Sequence, residues 1–171
     1  TDPGYGILMN YEGHKAEFEL PTNVYRLNPD TGEATVVTDE LEKPNGLCFS
    51  AGESRLFIND TDRQHIRVFD VLADGTLAHG RLFAKLVGDE PGVADGMKVD
   101  QEDHVYCVGP GGVHIFEPSG NCLGILKTPE YATNLVFGDH DLRTLYITAS
   151  TSVYRIRVQI PGASIFGPGA N

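Results

Sequence analysis

The sequence predicts an all-β protein that supplies about three and a half blades of a β-propeller. Short apolar runs rich in Val, Ile, Phe, Tyr and Leu alternate with Gly, Pro, Asp and Asn along all 171 residues, which is the pattern of short strands joined by turns. Glycines that end similar hairpin motifs recur at Gly32, Gly75, Gly120 and Gly162, with spacings of 43, 45 and 42 residues. A repeat of this length holds four short strands, which is the size of one propeller blade.

The strands of each predicted blade can be placed on the sequence. An incomplete first blade has strands near residues 4–9, 22–28 and 34–38. Two complete blades follow, with strands near 45–50, 55–60, 65–72 and 77–84, and near 94–99, 104–108, 112–117 and 122–127. A last blade has strands near 132–137, 143–149 and 151–158. We therefore expect residues 1–162 to form the C-terminal portion of a single propeller domain and residues 163–171 to form an irregular tail.

This number of blades is too small to close a ring, because propellers use about four to eight. An open partial propeller would expose a large apolar blade face at each end. The sequence therefore predicts a partner for this chain, namely the missing N-terminal part of the propeller, in the same chain or in a second one.

Composition and charge argue against several classes of partner. The net charge of −11 repels a nucleic-acid backbone and an anionic membrane surface, so neither partner is expected. The cysteines Cys48, Cys107 and Cys122 form no C-x-x-C pair and lie in or beside apolar runs. We expect all three to be buried and reduced, which favours a reducing compartment and a cytoplasmic location.

Three polar residues begin the predicted innermost strands. The repeat alignment places Asn45, Asp95 and Asn134 at equivalent positions, and the first residues of innermost strands lie at the mouth of the central channel. We therefore expect these side chains to converge. Carboxylate and amide oxygens suit hard cations such as Ca²⁺, Mg²⁺ or Mn²⁺. The alternative is that Asn-Gly and Asp-Gly only form turns, and the residues alone leave both interpretations open.

Two further features bear on the channel mouth. The loop from Asn10 to Pro21 is too long for a tight hairpin and carries Glu12 and His14. Such a loop can cover the channel and contact a polar substrate, although a solvated loop is the alternative. For Asp60, at the end of its strand, a role in ending the strand is favoured over a role at the mouth.

Five short motifs, in their order and spacing, resemble the gluconolactonase family, also called the senescence-marker-protein/luciferin-regenerating-enzyme family. The resemblance covers nearly the whole chain. The motifs are Tyr11-Glu12-Gly13-His14-Lys15, Arg26-Leu27-Asn28-Pro29, Pro44-Asn45-Gly46-Leu47, Ala94-Asp95-Gly96-Met97 and Val113-His114-Ile115-Phe116.

The resemblance implies a six-bladed propeller that hydrolyses sugar lactones with one divalent metal ion. It implies that Asn45 and Asp95 are metal ligands and that Asp95 is the general base. A further Glu ligand near the family's N-terminus, and an Asn or Arg that holds substrate, have no counterpart in this sequence. We expect Ca²⁺, with Mg²⁺, Mn²⁺ or Zn²⁺ as alternatives, and a small lactone as substrate.

Within this site we predict that His14, Glu12 and Asn134 contact the substrate. Two alternatives to lactone hydrolysis remain open. One is a propeller of the same shape that acts as a non-catalytic binding or regulatory module. The other is a related propeller hydrolase that acts on a different ester.

Overall fold

The computed structural model describes residues 1, 4–8, 10 and 13–164, apart from the side chains of residues 5 and 6. Within these residues a single-turn helix, α1 (Tyr5–Leu8), precedes thirteen strands. No helix in this part of the chain is long and apolar enough to cross a membrane.

The strands form four antiparallel sheets in which sequence neighbours pair. The first sheet contains β1 (Val24–Leu27) and β2 (Ala34–Thr38). The second contains β3 (Pro44–Phe49), β4 (Arg55–Asp60), β5 (His65–Val71) and β6 (Leu77–Lys85). The third contains β7 (Met97–Val99), β8 (Val105–Gly109), β9 (Gly112–Phe116) and β10 (Cys122–Lys127). The fourth contains β11 (Ala132–Gly138), β12 (Thr144–Ala149) and β13 (Val153–Arg157). The all-β prediction and its division into blades are confirmed.

The first blade departs from the prediction at its start. The strand expected near residues 4–9 is wrong, since Tyr5–Leu8 forms α1. The amides of Ile7 and Leu8 both donate to the carbonyl of Gly4, at 3.2 and 3.1 Å. Because these amides already donate to a carbonyl within the segment, they do not pair with a neighbouring strand.

Three of the four repeated glycines close hairpins as the repeat predicts. Gly32, Gly75 and Gly120 have φ angles of 73°, 78° and 92°, a left-handed conformation that glycine adopts without a steric penalty. The fourth expectation is wrong, because Gly162 forms an isolated antiparallel bridge with Asp100 instead of a hairpin turn.

Apolar clusters fill the space between successive sheets. In β4, Leu56 and Ile58 pack with Val24 of the first sheet, whereas Phe57 packs with Met97 of the third. This alternation follows from the two-residue period of a strand, and it buries the second sheet on both faces. A further cluster joins the third and fourth sheets and includes Val108, Val113, Leu135 and Leu145. The blades of a β-propeller pack face to face in the same way.

The inner strands β3, β7 and β11 are edge strands of their sheets and lie side by side. They line an open cleft of about 610 Å³ that includes Leu47, Lys98 and Val136. The inner edges of the blades therefore border a channel-like space, as the propeller prediction requires.

One cysteine departs from its expected environment. All three thiols are free, and Cys48 and Cys107 are buried, but Cys122 is exposed. Its burial was predicted wrongly because Cys122 begins β10, the outermost strand of its sheet, most of whose residues are exposed. The cytoplasmic location stays a prediction.

The predicted tail is described only at its beginning. The amide of Ala163 donates to the carbonyl of Val99 at 3.1 Å, and Ala163 packs against the core between the second and third sheets. Residues 165–171 lie outside the described residues. The domain boundary at residue 162 stays a prediction.

Candidate metal and substrate site

The side chains of Asn45 and Asp95 meet at one end of the inner strands. Asn45 lies in β3 of the second sheet, and Asp95 lies two residues before β7 of the third. Both are partly buried, and Nδ2 of Asn45 donates to the carbonyl of Ala94, the residue before Asp95, at 3.3 Å. Two residues far apart in sequence are thus brought to one point by the stacking of the two sheets.

Two glycines allow this close approach. A Cβ atom on Gly46 would collide with the carbonyl oxygen of Asp95, and a Cβ on Gly96 would collide with the side chain of Asn134. Neither glycine has a positive φ, and the Gly96 amide donates to the carbonyl of Thr133 at 3.0 Å. The Asn-Gly and Asp-Gly pairs therefore mark contacts between blades, and the turn interpretation does not apply to them.

The residues predicted to contact substrate are placed unequally. Asn134 adjoins Gly96, is exposed, and accepts a hydrogen bond from the amide of Leu135 at its Oδ1, at 2.8 Å. His14 is exposed in the long loop, and among the described residues it has no hydrogen bond to the Asn45–Asp95 pair. Glu12 lies outside the described residues. All three roles stay predictions.

The long loop folds back on the helix that precedes it. The amide of Ala16 donates to the carbonyl of Ile7 at 3.1 Å, and the amide of Lys15 donates to Oδ1 of Asn10 at 2.9 Å. The part of the loop that the structure describes is therefore ordered by local hydrogen bonds.

A buried amide that the sequence motifs did not indicate supports the pair. Asn59 is fully buried near the end of β4. Its Oδ1 accepts a hydrogen bond from the amide of Gly46 at 3.0 Å, and its Nδ2 donates to the carbonyl oxygen of Asp95. A signal was present, because the strand period puts Asn59 on the same core-facing side as Phe57. A polar side chain at a core position needs a specific partner.

Two more residues of the β4–β5 turn were missed, and both hold Ala94. The hydroxyl of Thr61 donates to the Ala94 carbonyl at 2.7 Å. The Ala94 amide donates to Oε1 of Gln64 at 3.2 Å. Both backbone groups of the residue before Asp95 are therefore fixed by side chains of the second sheet.

Asp60, which lies between Asn59 and Thr61, binds backbone amides, as predicted for a residue that ends its strand. It is fully buried, and its carboxylate accepts hydrogen bonds from four backbone amides. The donors are Glu42 at 2.7 Å, Lys43 at 3.3 Å, Asp62 at 3.1 Å and Arg63 at 3.1 Å. Its role in ending the strand is thus confirmed.

Partial burial changes the pKa of Asp95. Desolvation raises the pKa of Asp95, and hydrogen bonds from the Asn45 side chain and the Gly96 amide oppose this effect. A cation beside the carboxylate would favour its charged form in the same way.

The donor set fits part of a hard-cation site. Nδ2 of Asn45 lies 3.2 Å from Oγ1 of Thr61 and 3.3 Å from the carbonyl of Ala94, so Oδ1 is the amide atom available to a cation. With the Asp95 carboxylate this makes two oxygen donors, the type that Ca²⁺ prefers. No group of three or more His, Cys, Asp or Glu residues suited to a metal occurs in the described part of the chain. Further ligands would have to come from water, substrate or residues elsewhere.

Comparison with known proteins identifies the family. The profile described as SMP-30/Gluconolactonase/LRE-like region matches residues 7–151. The chain belongs to this family. A gluconolactonase of Zymomonas mobilis is 33% identical over 171 residues, which cover 95% of this chain and 47% of the relative. The solved structure of a gluconolactonase from Xanthomonas campestris aligns with a TM-score of 0.79 and 32% identity, covering 94% of this chain and 51% of that one. This member of the SMP-30/gluconolactonase family thus spans about half the length of these relatives.

A more distant likeness bears on the fold alone. The β-propeller domain of Cps50 (Swd1) from Myceliophteria thermophila aligns with a TM-score of 0.57 and 16% identity, over 78% of this chain and 46% of that one. Together with the stacked antiparallel sheets, it identifies the architecture of this SMP-30/gluconolactonase family member as part of a β-propeller.

Proposed function

We propose that the protein containing this chain hydrolyses a sugar lactone, with a divalent cation held in part by Asn45 and Asp95. The observation that carries the proposal is that Asn45 and the Asp95 segment, from different sheets, meet at one end of the inner strands, where Nδ2 of Asn45 lies 3.3 Å from the Ala94 carbonyl. Membership of the SMP-30/gluconolactonase family and the gluconolactonase relatives support the same reaction.

In this proposal the chain's own residues bind the cation and move a proton. When bound, the cation supplies Lewis acidity toward the lactone carbonyl and a water molecule. The Asp95 carboxylate and Oδ1 of Asn45 would hold it, and Asp95 would also accept a proton from the water as a general base. The water oxygen bonds to the carbonyl carbon, the bond from that carbon to the ring oxygen breaks, and the ring oxygen takes up the proton. The product is a hydroxy acid. Because the donors are oxygens, Ca²⁺ is favoured, with Mg²⁺, Mn²⁺ or Zn²⁺ as alternatives.

We also propose that the remaining blades of a six-bladed ring complete the site, in the same chain or a second one. Apolar side chains are exposed on the first sheet, at Leu27 and Val36, and on the last sheet, at Val153 and Ile156. Exposed apolar side chains on both terminal sheets support a complementary part that packs against them. That part would supply the further ligands that a Ca²⁺ site needs.

The test is hydrolysis of gluconolactone by the full-length protein, followed as acid release. We expect activity to require a divalent cation and to be lost on chelation. Asp95→Asn should lower kcat by about 100-fold or more, because both a ligand charge and the general base are removed. Asp30→Asn, which changes an exposed carboxylate in the β1–β2 turn, should leave kcat unchanged.

The outcomes separate the alternatives. Unchanged turnover in Asp95→Asn would contradict the proposed mechanism. A panel of sugar lactones, aryl esters and phosphotriesters distinguishes a lactonase from a hydrolase of another ester. A protein that binds a cation but hydrolyses no member of the panel would be a binding module.

A further inference from the structure

We infer that Asn59, Thr61 and Gln64 are positioning residues that hold the Asp95 segment of the third blade against the Asn45 segment of the second. We call these three residues the clamp. The inference rests on the proposed function for the role of Asp95, but the contacts that define the clamp do not depend on a cation.

The first part of the clamp is a bridge between two inner strands. The side-chain amide of Asn59 is fully buried and uses both of its ends. Oδ1 accepts from the amide of Gly46, directly after Asn45, at 3.0 Å, and Nδ2 donates to the carbonyl oxygen of Asp95. One planar group therefore fixes the spacing between the backbone segments that carry the two proposed ligands.

The second part of the clamp holds Ala94. Its carbonyl accepts from the Thr61 hydroxyl at 2.7 Å, and its amide donates to Oε1 of Gln64 at 3.2 Å. Nε2 of Gln64 donates to the backbone carbonyl of Thr61 at 2.6 Å, which joins the Gln64 side chain to the Thr61 backbone. Oγ1 of Thr61 also lies 3.2 Å from Nδ2 of Asn45. Thr61 thus contacts both the backbone before Asp95 and the Asn45 side chain.

The clamp adds to the hydrogen bonds that hold Asp95 within its own sheet. β7 begins only at Met97, so Asp95 precedes the regular ladder of its own sheet. Its amide is 3.3 Å from the carbonyl of Val108, a long hydrogen bond. The clamp supplies the shorter contacts from the neighbouring blade. Mutation of residues that hydrogen-bond to a metal ligand and orient it typically lowers metal affinity or activity by about 10- to 100-fold.

Thr61 offers the sharpest test, since one hydroxyl can be removed with little change of shape. Thr61→Val deletes the donor to Ala94, and Thr61→Ser keeps it. The matched control is Thr144→Val. Thr144 is buried like Thr61, and its hydroxyl contacts Asp139 and Arg157, away from the pair. All variants are made in the full-length protein.

Two measurements are made on each variant. Hydrogen–deuterium exchange of the peptide that covers residues 92–97 reports how firmly the Asp95 segment is held, and it needs no cation. Calorimetric titration with Ca²⁺ reports the affinity of the proposed site. We expect Thr61→Val to speed exchange of this peptide by about tenfold and to weaken Ca²⁺ affinity by about tenfold. Thr61→Ser should stay within about twofold of wild type in both measurements, and Thr144→Val should lower Tm without changing either.

The clamp would be disproved if residues 92–97 exchange no faster in Thr61→Val than in Thr144→Val. It would also be disproved if Thr61→Ser changes the exchange rate and Ca²⁺ affinity as much as Thr61→Val does. A wild-type protein that binds no Ca²⁺, Mg²⁺ or Mn²⁺ would count against the proposed function. Faster exchange in Thr61→Val would then still support the clamp, so the two failures can be told apart.

Discussion

At the scale of single residues, the hydrogen bonds of Asn59 connect two blades. A buried side-chain amide normally needs a hydrogen-bond partner for each of its polar atoms. Removing one partner lowers stability by more than the hydrogen bond itself contributes to it. In this protein those partners are backbone groups of two inner strands, Gly46 and Asp95. Stability and the geometry of the proposed site therefore depend on the same side chain.

Asn59→Leu tests this dependence through stability. Leucine has a similar size and suits the neighbouring Met97 and Cys107, but the Gly46 amide and the Asp95 carbonyl lose their partner. At about 1–3 kcal/mol for each of the two unpaired buried groups, we expect the free energy of unfolding to fall by about 2–6 kcal/mol in chemical denaturation. The surface control Asn121→Leu should change it by less than about 0.5 kcal/mol. Equal losses in the two variants would disprove the bridge.

Gly46 tests the close approach of the two strands. An alanine Cβ would collide with the Asp95 carbonyl and lie 2.8 Å from Nδ2 of Asn59. The backbone has little room to move, so we expect Gly46→Ala to cost about 1–3 kcal/mol of unfolding free energy and to weaken cation binding. Gly52→Ala is the control, since a Cβ at Gly52 meets nothing within 4 Å. Gly46→Ala with the stability and affinity of Gly52→Ala would contradict this geometry.

At the scale of elements, Glu130 joins the start of the fourth blade to its β12–β13 turn. Its carboxylate accepts from the amide of Thr151 at 2.8 Å, from the Thr151 hydroxyl at 2.9 Å and from the Ser152 hydroxyl at 2.8 Å. These hydrogen bonds lower the pKa of Glu130 from 4.5 to about 2. They stabilise the charged form in the folded state.

This pKa shift predicts a pH-dependent effect of Glu130→Gln. A carboxylate whose pKa is lower when folded stabilises the protein above its unfolded-state pKa, and this contribution disappears as pH falls through the folded-state pKa. We expect the Tm of Glu130→Gln to lie below that of wild type at pH 7, with a gap that narrows between about pH 4.5 and pH 2. Glu33→Gln, at an exposed carboxylate of the β1–β2 turn, should leave the Tm at pH 7 close to that of wild type. A gap that stays constant with pH would rule out this role of Glu130.

Prediction from sequence succeeded where a structure is local. The hairpins ending at Gly32, Gly75 and Gly120 depend on neighbouring residues and on a left-handed glycine, and both are visible in the sequence. Helix α1 was missed, because four residues of apolar composition indicate a strand as readily as one turn of helix. The clamp was also missed, since Asn59 and Asp95 are 36 residues apart. Only the stacking of two blades shows that they meet.

At the scale of the whole molecule, the stacked sheets do not bury all of their apolar surface. Apolar clusters cover both faces of the second and third sheets. In contrast, Val153 on the last sheet is 66% exposed and Leu27 on the first is 63% exposed. Side chains along the inner edges, such as Phe49 and Val136, are also 44% and 51% exposed. A closed propeller covers the faces of its first and last blades by packing them against each other, and its inner edges stay short and protected.

Ring closure therefore predicts a difference between residues 1–171 alone and the full-length protein. Because the terminal sheets and the proposed ligand pair would both lack their complement, we expect residues 1–171 to bind a hydrophobic dye, to unfold with low cooperativity and to hydrolyse no gluconolactone. Intact-mass measurement of the active protein should then show either a longer chain or a second polypeptide that supplies the missing blades. Turnover by residues 1–171 alone would contradict the need for a complementary part. It would also mean that the Asn45–Asp95 pair obtains its remaining ligands from water and substrate.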